Sequence, residues 1–123
     1  MSDMKIEELV GIYKLKGKNQ EKGSAFTYDG TLKLSLREDG RLNALWQISD
    51  QLQFGTGFFK EDILVINFYY LSEENEKFKG VAVYRCLDKN TLDGFWSEKH
   101  GDPKYLGTEY GVRIHTDVSV NWD

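Results

Sequence analysis

Hydrophobic and polar positions alternate along most of this chain, and the alternation starts afresh eight times. A period of two is the mark of a strand with one buried face. Gly11 to Gly17 sets Tyr13 and Leu15 against Lys14 and Lys16, and Phe26 to Arg37 sets Tyr28, Leu32, Leu34 and Leu36 against Thr31, Lys33 and Ser35. Arg41 to Ile48 places Leu42, Ala44, Trp46 and Ile48 on one side. Gln51 to Lys60 and Asp62 to Leu71 form the next pair, followed by Lys77 to Leu87, Thr91 to Lys99 and Lys104 to His115. The densest stretch is Phe54 to Arg85, within which Ile63 to Leu71 is apolar or aromatic everywhere except Asn67.

Short polar links predict that neighbouring strands pair. Lys60-Glu61-Asp62 is the tightest turn, and Glu38-Asp39-Gly40 carries the Asp-Gly pair that tolerates positive φ. Met1 to Leu9 is the one plausible helix, a short one capped by Ser2 or Asp3, with Ile6, Leu9 and Val10 facing inward. Such a turn commonly plugs one end of a barrel. The tail, Thr116 to Asp123, is assigned no partner.

An open meander of eight strands leaves two exposed edges, and closure removes both. The expectation is therefore an all-β fold: an eight-stranded antiparallel up-and-down barrel with a short N-terminal helical turn, forming a single domain over residues 1–123. Eight strands leave room inside for side chains or for one small ligand. Gly30, Gly55, Gly57, Gly80, Gly94, Gly107 and Gly111 fall inside strands and read as barrel corners.

Composition narrows the partners. A formal charge of −4, with Lys residues scattered along strands, gives no footprint for nucleic acid. No run approaches membrane-span length, and the N-terminus lacks a signal-peptide core, so the chain as written is expected in the cytosol; a processed secreted form is the alternative. The single Cys, Cys86, has no disulfide partner within the chain and is expected to be an inert buried thiol.

Gly11-Ile12-Tyr13 and Gly94-Phe95-Trp96 resemble the Gly-x-aromatic strand motifs of the calycin group, which holds lipocalins and avidins. A longer series is similar to a family of small bacterial proteins often labelled fibronectin-binding. It comprises the opening Gly-x-Tyr, Gly55-Thr56-Gly57, Val81-Ala82-Val83-Tyr84, Leu92-Asp93-Gly94-Phe95-Trp96 and Gly107-Thr108-Glu109. The resemblance implies an avidin-like or lipocalin-like barrel, while the fibronectin label says little about mechanism. It also argues against biotin. The positions that would carry the polar partners of its ureido group resemble Leu15 and Asn19, and an apolar Leu15 cannot supply that hydrogen bond.

Carrying strand parity through the chain places Tyr13, Leu15, Leu34, Trp46, Phe54, Phe58, Asn67, Tyr69, Tyr84, Trp96, Glu98 and Tyr110 inside. Of these, Tyr13, Trp46, Phe54, Phe58, Asn67, Tyr69, Tyr84, Trp96 and Glu98 are the candidate ligand-binding residues. Aromatic rings would supply burial, and Asn67, Glu98 and tyrosine hydroxyls would supply orientation. Glu109, out of phase with Tyr110, is expected outside. The sequence carries no catalytic constellation, metal spacing or cofactor motif; Glu98 with His100 is the one pair that could do acid–base work.

Two functions follow. The first is a barrel binding a small, partly apolar ligand in an aromatic-lined cavity of roughly 300 Å³ or more. The second is a filled barrel that assembles as a homodimer or homotetramer through strands four to seven. In that reading Leu64, Ile66, Phe68 and Tyr70 join Phe59, Val81, Val83 and Phe95 in an exposed apolar patch.

Overall fold

The computed structural model describes residues 4–23 and 27–117. Eight strands follow one another: β1 (Gly11–Lys18), β2 (Thr27–Leu36), β3 (Leu42–Ile48), β4 (Gln51–Lys60), β5 (Ile63–Leu71), β6 (Lys77–Asp88), β7 (Thr91–Glu98) and β8 (Gly107–His115). Each pairs antiparallel with the next, and β8 returns to β1, so the barrel is closed and up-and-down. No helix among the described residues is long and apolar enough to cross a membrane.

The turns match their residues. Glu61 and Asp62 both take positive φ, 49° and 68°, as a two-residue hairpin between the paired Lys60 and Ile63 requires. At the β2–β3 turn Gly40 supplies φ 86°, and the Asp39 carboxylate accepts from the Arg41 amide at 3.0 Å while pairing with Arg37. The eighth strand begins at Gly107 rather than Lys104, the chain before it being taken up by a turn. Phe26, the expected start of the second strand, and most of the unassigned tail lie outside the described residues.

The expected N-terminal helix is a single 3-10 turn, Ile6–Leu9, whose cap is Lys5; Met1 to Asp3 lie outside the described residues. Glu8 holds the turn by accepting from the Lys5 amide at 2.9 Å. Leu9 is fully buried and stops one end of the barrel. Tyr13 donates from its hydroxyl to the Leu9 carbonyl at 2.8 Å. Arg113 wraps the outside of the plug, donating to the Glu8 and Val10 carbonyls at 2.6 and 3.1 Å and to the Asn90 side chain at 2.9 and 3.0 Å.

The core runs through the barrel as Leu15, Leu32, Leu34, Leu42, Trp46, Leu64, Ile66, Phe68, Tyr84, Cys86 and Leu92. Leu34, Trp46 and Tyr84 take the expected inward phase. Strands β4, β5 and β8 do not. Phe54, Phe58, Asn67, Tyr69 and Tyr110 all point outward and are exposed, with Phe58 51% accessible. Inward on β4 are Gly55, Gly57 and Phe59; inward on β5 are Leu64, Ile66, Phe68 and Tyr70; inward on β8 are Gly107, Glu109 and Gly111. Parity fails on these strands for two related reasons. The inward positions of β4 and β8 are glycine or polar apart from Phe59, so most apolar side chains of those strands lie on the outer face. On β5 both faces are apolar, and alternation cannot choose between them.

The expected patch on strands four to seven changes membership accordingly. Phe59, Leu64, Ile66, Phe68 and Tyr70 belong inside. Phe58, Val65, Val83 and Phe95 stand in one cross-strand row on the outside, with Val81 beside it.

Candidate functional site

The end opposite the Leu9 plug is hollow. It holds a cavity of about 210 Å³, bounded by Tyr28, Trp46, Phe68, Tyr70, Tyr84 and Trp96. Ile48, Ala82 and the polar Asn19, Gln51, Gln53, Glu98 and Glu109 complete its lining.

Glycines on neighbouring strands decide where the rings go. A Cβ at Gly17 would run into the Tyr28 ring, one at Gly80 into the Phe68 ring, and one at Gly107 into the indole of Trp96. Tyr84 lies over Gly94 in the same way, its Cδ1 only 2.6 Å from where a Cβ would stand. Each large ring therefore occupies space that a side chain would otherwise take, so four aromatics lie close along the wall without filling the lumen. Gly80, Gly94 and Gly107, expected as barrel corners, act with Gly17 as ring seats. Phe68 stands edge-on between the two tryptophans, its centroid 5.8 Å from Trp46 and 6.5 Å from Trp96.

At the floor sits Glu109, 5% exposed. Its Oε2 accepts from the Tyr28 hydroxyl at 2.5 Å, and its Oε1 accepts from the Tyr84 hydroxyl and from Trp46 Nε1 at 3.1 Å. Trp96 Nε1 donates in turn to the Tyr28 hydroxyl at 3.0 Å. An indole N–H can only donate, and each phenol has one proton. With Tyr28 accepting from Trp96, its own proton goes to Glu109, so the chain of donors converges on the carboxylate.

Burial pushes the Glu109 carboxyl above its ordinary range, and the bonds from Tyr28, Tyr84 and Trp46 pull it part of the way back. Burial, and then the Glu109 charge, push the Tyr28 and Tyr84 hydroxyls well above the usual phenol range, so both remain donors. Nearer the mouth the Tyr70 hydroxyl donates to Glu98 Oε1 at 2.6 Å. Gln20 ties the β1–β2 loop across this end: its Nε2 donates to Ser97 Oγ at 3.0 Å and to the Asp102 carbonyl at 3.1 Å, and its Oε1 accepts from the Glu98 amide at 2.9 Å.

Of the nine candidate ligand-binding residues, Trp46, Tyr84, Trp96 and Glu98 line this cavity. Tyr13 is fully buried at the plugged end, its hydroxyl already committed to Leu9. Phe54, Phe58, Asn67 and Tyr69 lie on the outer wall, where Phe54 and Tyr69 pack together at 5.6 Å between centroids. Glu109, expected outside, is instead the most buried charged group of the site. Sequence reading missed Tyr28, Phe68, Tyr70 and Glu109. Tyr28 was within reach, since it shares parity with Leu32 and Leu34. Glu109 carried a fainter signal, a Gly two residues away on either side on the same face.

Cys86 is buried in the closed half, where burial pushes its thiol up to about 12. His100, the expected acid–base companion of Glu98, is exposed. The cavity falls short of the roughly 300 Å³ expected for a drug-sized ligand, because Glu109 and its donors occupy the middle of the lumen.

No protein-family model matches the chain, and no curated protein matches it. Among solved structures it is similar to a redesigned β-barrel, with a TM-score of 0.68 and 18% identity over 93% of this chain and 99% of the other. A second, EF1p2_mFAP2b bound to DFHBI, gives a TM-score of 0.61 and 18% identity over 88% of this chain and 95% of that one. A third is a protein of unknown function from the DUF3598 family of Nostoc punctiforme PCC 73102, with a TM-score of 0.55 and 13% identity. It is covered over 49% of its length by 90% of this chain. Likeness at these identities establishes the shared fold, a small closed antiparallel barrel.

Proposed function

We propose that this protein binds a small ligand in the loop end of its barrel. The observation carrying this reading is the unfilled volume of about 210 Å³ between aromatic walls and a buried, hydrogen-bonded carboxylate. Concave space walled by aromatic rings with a few convergent polar groups is the usual form of a small-ligand site. The likeness to a barrel bound to DFHBI supports the reading, since a barrel of similar fold binds a small molecule. The volume suits a molecule smaller than a drug. The calycin kinship suggested by the Gly-x-aromatic strands agrees with such a role. Biotin is not the ligand proposed: of the two positions matched to its ureido partners Asn19 lines the cavity, but Leu15 is apolar and buried away from it.

Native mass spectrometry of the protein purified from its expression host is the direct test. A retained small molecule that is lost on Trp46→Ala supports the reading. The absence of any adduct, combined with no response of tryptophan fluorescence to a fragment library, rejects it.

The outer row of Phe58, Val65, Val83 and Phe95 favours a second, compatible property. Phe58 and Phe95 are 51% and 46% exposed on adjacent parts of β4–β7, and contiguous apolar surface of this kind marks an interface. The protein is proposed to form a homodimer or homotetramer through this face. Light scattering giving the mass of one chain would count against it.

A further inference from the structure

We infer that the cavity selects small organic cations, a protonated amine or amidinium whose charged end lies between Glu109 and Glu98 while its apolar part rests on the tryptophans. The inference rests on the cavity being a ligand site, and adds the chemical class.

Charge comes first. Among the described residues the lining contains two carboxylates and no Lys, Arg or His. Among the described residues the ion pairs are those of Asp39 with Arg37 and Arg41, on the far outside, so neither cavity carboxylate has a cationic partner. A buried carboxylate ordinarily has one, or a metal. Glu109 instead draws on four donor side chains, directly or in relay, and still faces the lumen.

Hydrogen-bonding capacity points the same way. The protons of Tyr28, Tyr84, Trp46 and Trp96 are all committed within the network, and that of Tyr70 to Glu98. Gln53 Nε2 donates to Gln51 Oε1 at 3.0 Å. What remains toward the lumen is mostly acceptor: Glu109 Oε2 and Glu98 Oε1 each hold one bond, against two lone pairs on every carboxylate oxygen. A ligand rich in N–H donors completes these groups. An anion would meet the two carboxyl groups, with only the side-chain amides of Asn19, Gln51 and Gln53 left to donate to it.

The walls add a third attraction. Trp46, Trp96, Phe68 and Tyr70 present π-systems around the space, and ring faces attract cations, tryptophan most strongly. Size limits the ligand to something displacing about seven waters, at roughly 30 Å³ each in about 210 Å³.

The test is a matched series of benzylamine, benzyl alcohol and benzoate, titrated into the full chain at pH 7 and low salt with calorimetry or tryptophan fluorescence as the readout. Benzylamine should bind at least tenfold more tightly than benzyl alcohol, and benzoate more weakly than either. Glu109→Gln should bring the ratio of benzylamine to benzyl alcohol affinity, both read within the variant, close to one, and Glu98→Gln should reduce that ratio and serves if the first variant does not fold. Equal binding of the amine and the alcohol, or tighter binding of benzoate, overturns the cation inference while leaving the cavity a ligand site. If no member binds at millimolar concentration, both readings fall.

Discussion

The two ends of this barrel are finished by different chemistry on the same scaffold. At the plugged end Leu9 fills the lumen, and the Tyr13 hydroxyl is turned onto a backbone carbonyl. At the other end Tyr28 and Tyr84 turn their hydroxyls onto a side-chain carboxylate, and no apolar residue fills the space above them. A tyrosine bonded to backbone fixes the chain to itself. A tyrosine bonded to a charged side chain facing a cavity prepares a surface for something else. The first end is closed by packing and the second holds the proposed ligand site, so substitutions of equal size should have unequal effects.

The largest effect is expected at the plug. Leu9→Ala opens a void in a fully buried position and should cost about 2–5 kcal/mol of unfolding free energy. Ligand binding by the folded fraction should stay within a factor of two. Chemical denaturation measures the first and calorimetry the second. A loss below about 1 kcal/mol would show that the turn is peripheral to the closed end.

A single hydroxyl compares the ends more directly. Tyr13→Phe leaves the Leu9 carbonyl unpaired where Tyr13 itself is fully buried, which should cost about 1–3 kcal/mol. Tyr28→Phe removes a donor from Glu109 and an acceptor from Trp96, yet cavity water can replace the oxygen. Its cost should be no more than about 1 kcal/mol, with the larger change appearing in binding. Thermal or urea unfolding of the pair decides. Equal losses would mean that the cavity end is as dry as the plug.

The same contrast explains what can be read from sequence. Strand existence, order and closure follow from period-two patterning, and nearly every boundary falls within a residue or two. The plugged end is legible because its inward residues Leu15 and Leu34 have polar neighbours out of phase, and Tyr13 continues the phase of Leu15. The cavity end is only half legible. The inward face of β4 and β8 is glycine or polar apart from Phe59, so it carries little hydrophobic signal while Phe54, Phe58 and Tyr110 advertise the outer one. Alternation weighs side chains, and a wall built from absent side chains reads inverted. Glu109 is lost through that inversion, since assigning Tyr110 inward forces its neighbour out.

The next effect depends on pH. Burial raises the Glu109 carboxyl above its ordinary value of 4.5, so its protonated form favours the folded state. That contribution is whole below pH 4.5 and is lost as the pH rises through the folded-state value. Glu98 and every surface carboxylate are common to wild type and Glu109→Gln, so the difference in stability between the two isolates the buried group. Wild type minus variant should fall as the pH is raised from 4.5 toward neutrality, measured by urea unfolding at each pH. A flat difference would mean that the three donors cancel the burial, and a rising one would reverse the sign. The plugged end should contribute nothing to this slope, because the Tyr13 hydroxyl, pushed by burial up to about 12, does not titrate in the range.

The smallest effect is expected at Asn67, the residue on which inward and outward parity for β5 disagree most sharply. If it pointed into the lumen, Asn67→Leu would strand a polar partner at a cost of about 1–3 kcal/mol, or weaken a bound ligand by a similar amount. It points outward instead, paired across strands with Thr56 and Val81 on the solvent face. Exposed substitutions away from caps and networks usually fall within about 0.5 kcal/mol of neutral. Leucine is also no worse than asparagine in a strand. The variant should therefore unfold with wild type and bind the same ligands. One change is expected, and it is at the surface. The introduced leucine would extend the exposed row of Phe58, Val65, Val83 and Phe95, so self-association should strengthen, with light scattering as the measure. A loss of stability above about 1 kcal/mol would place Asn67 inside after all, and with it the whole phase of β5.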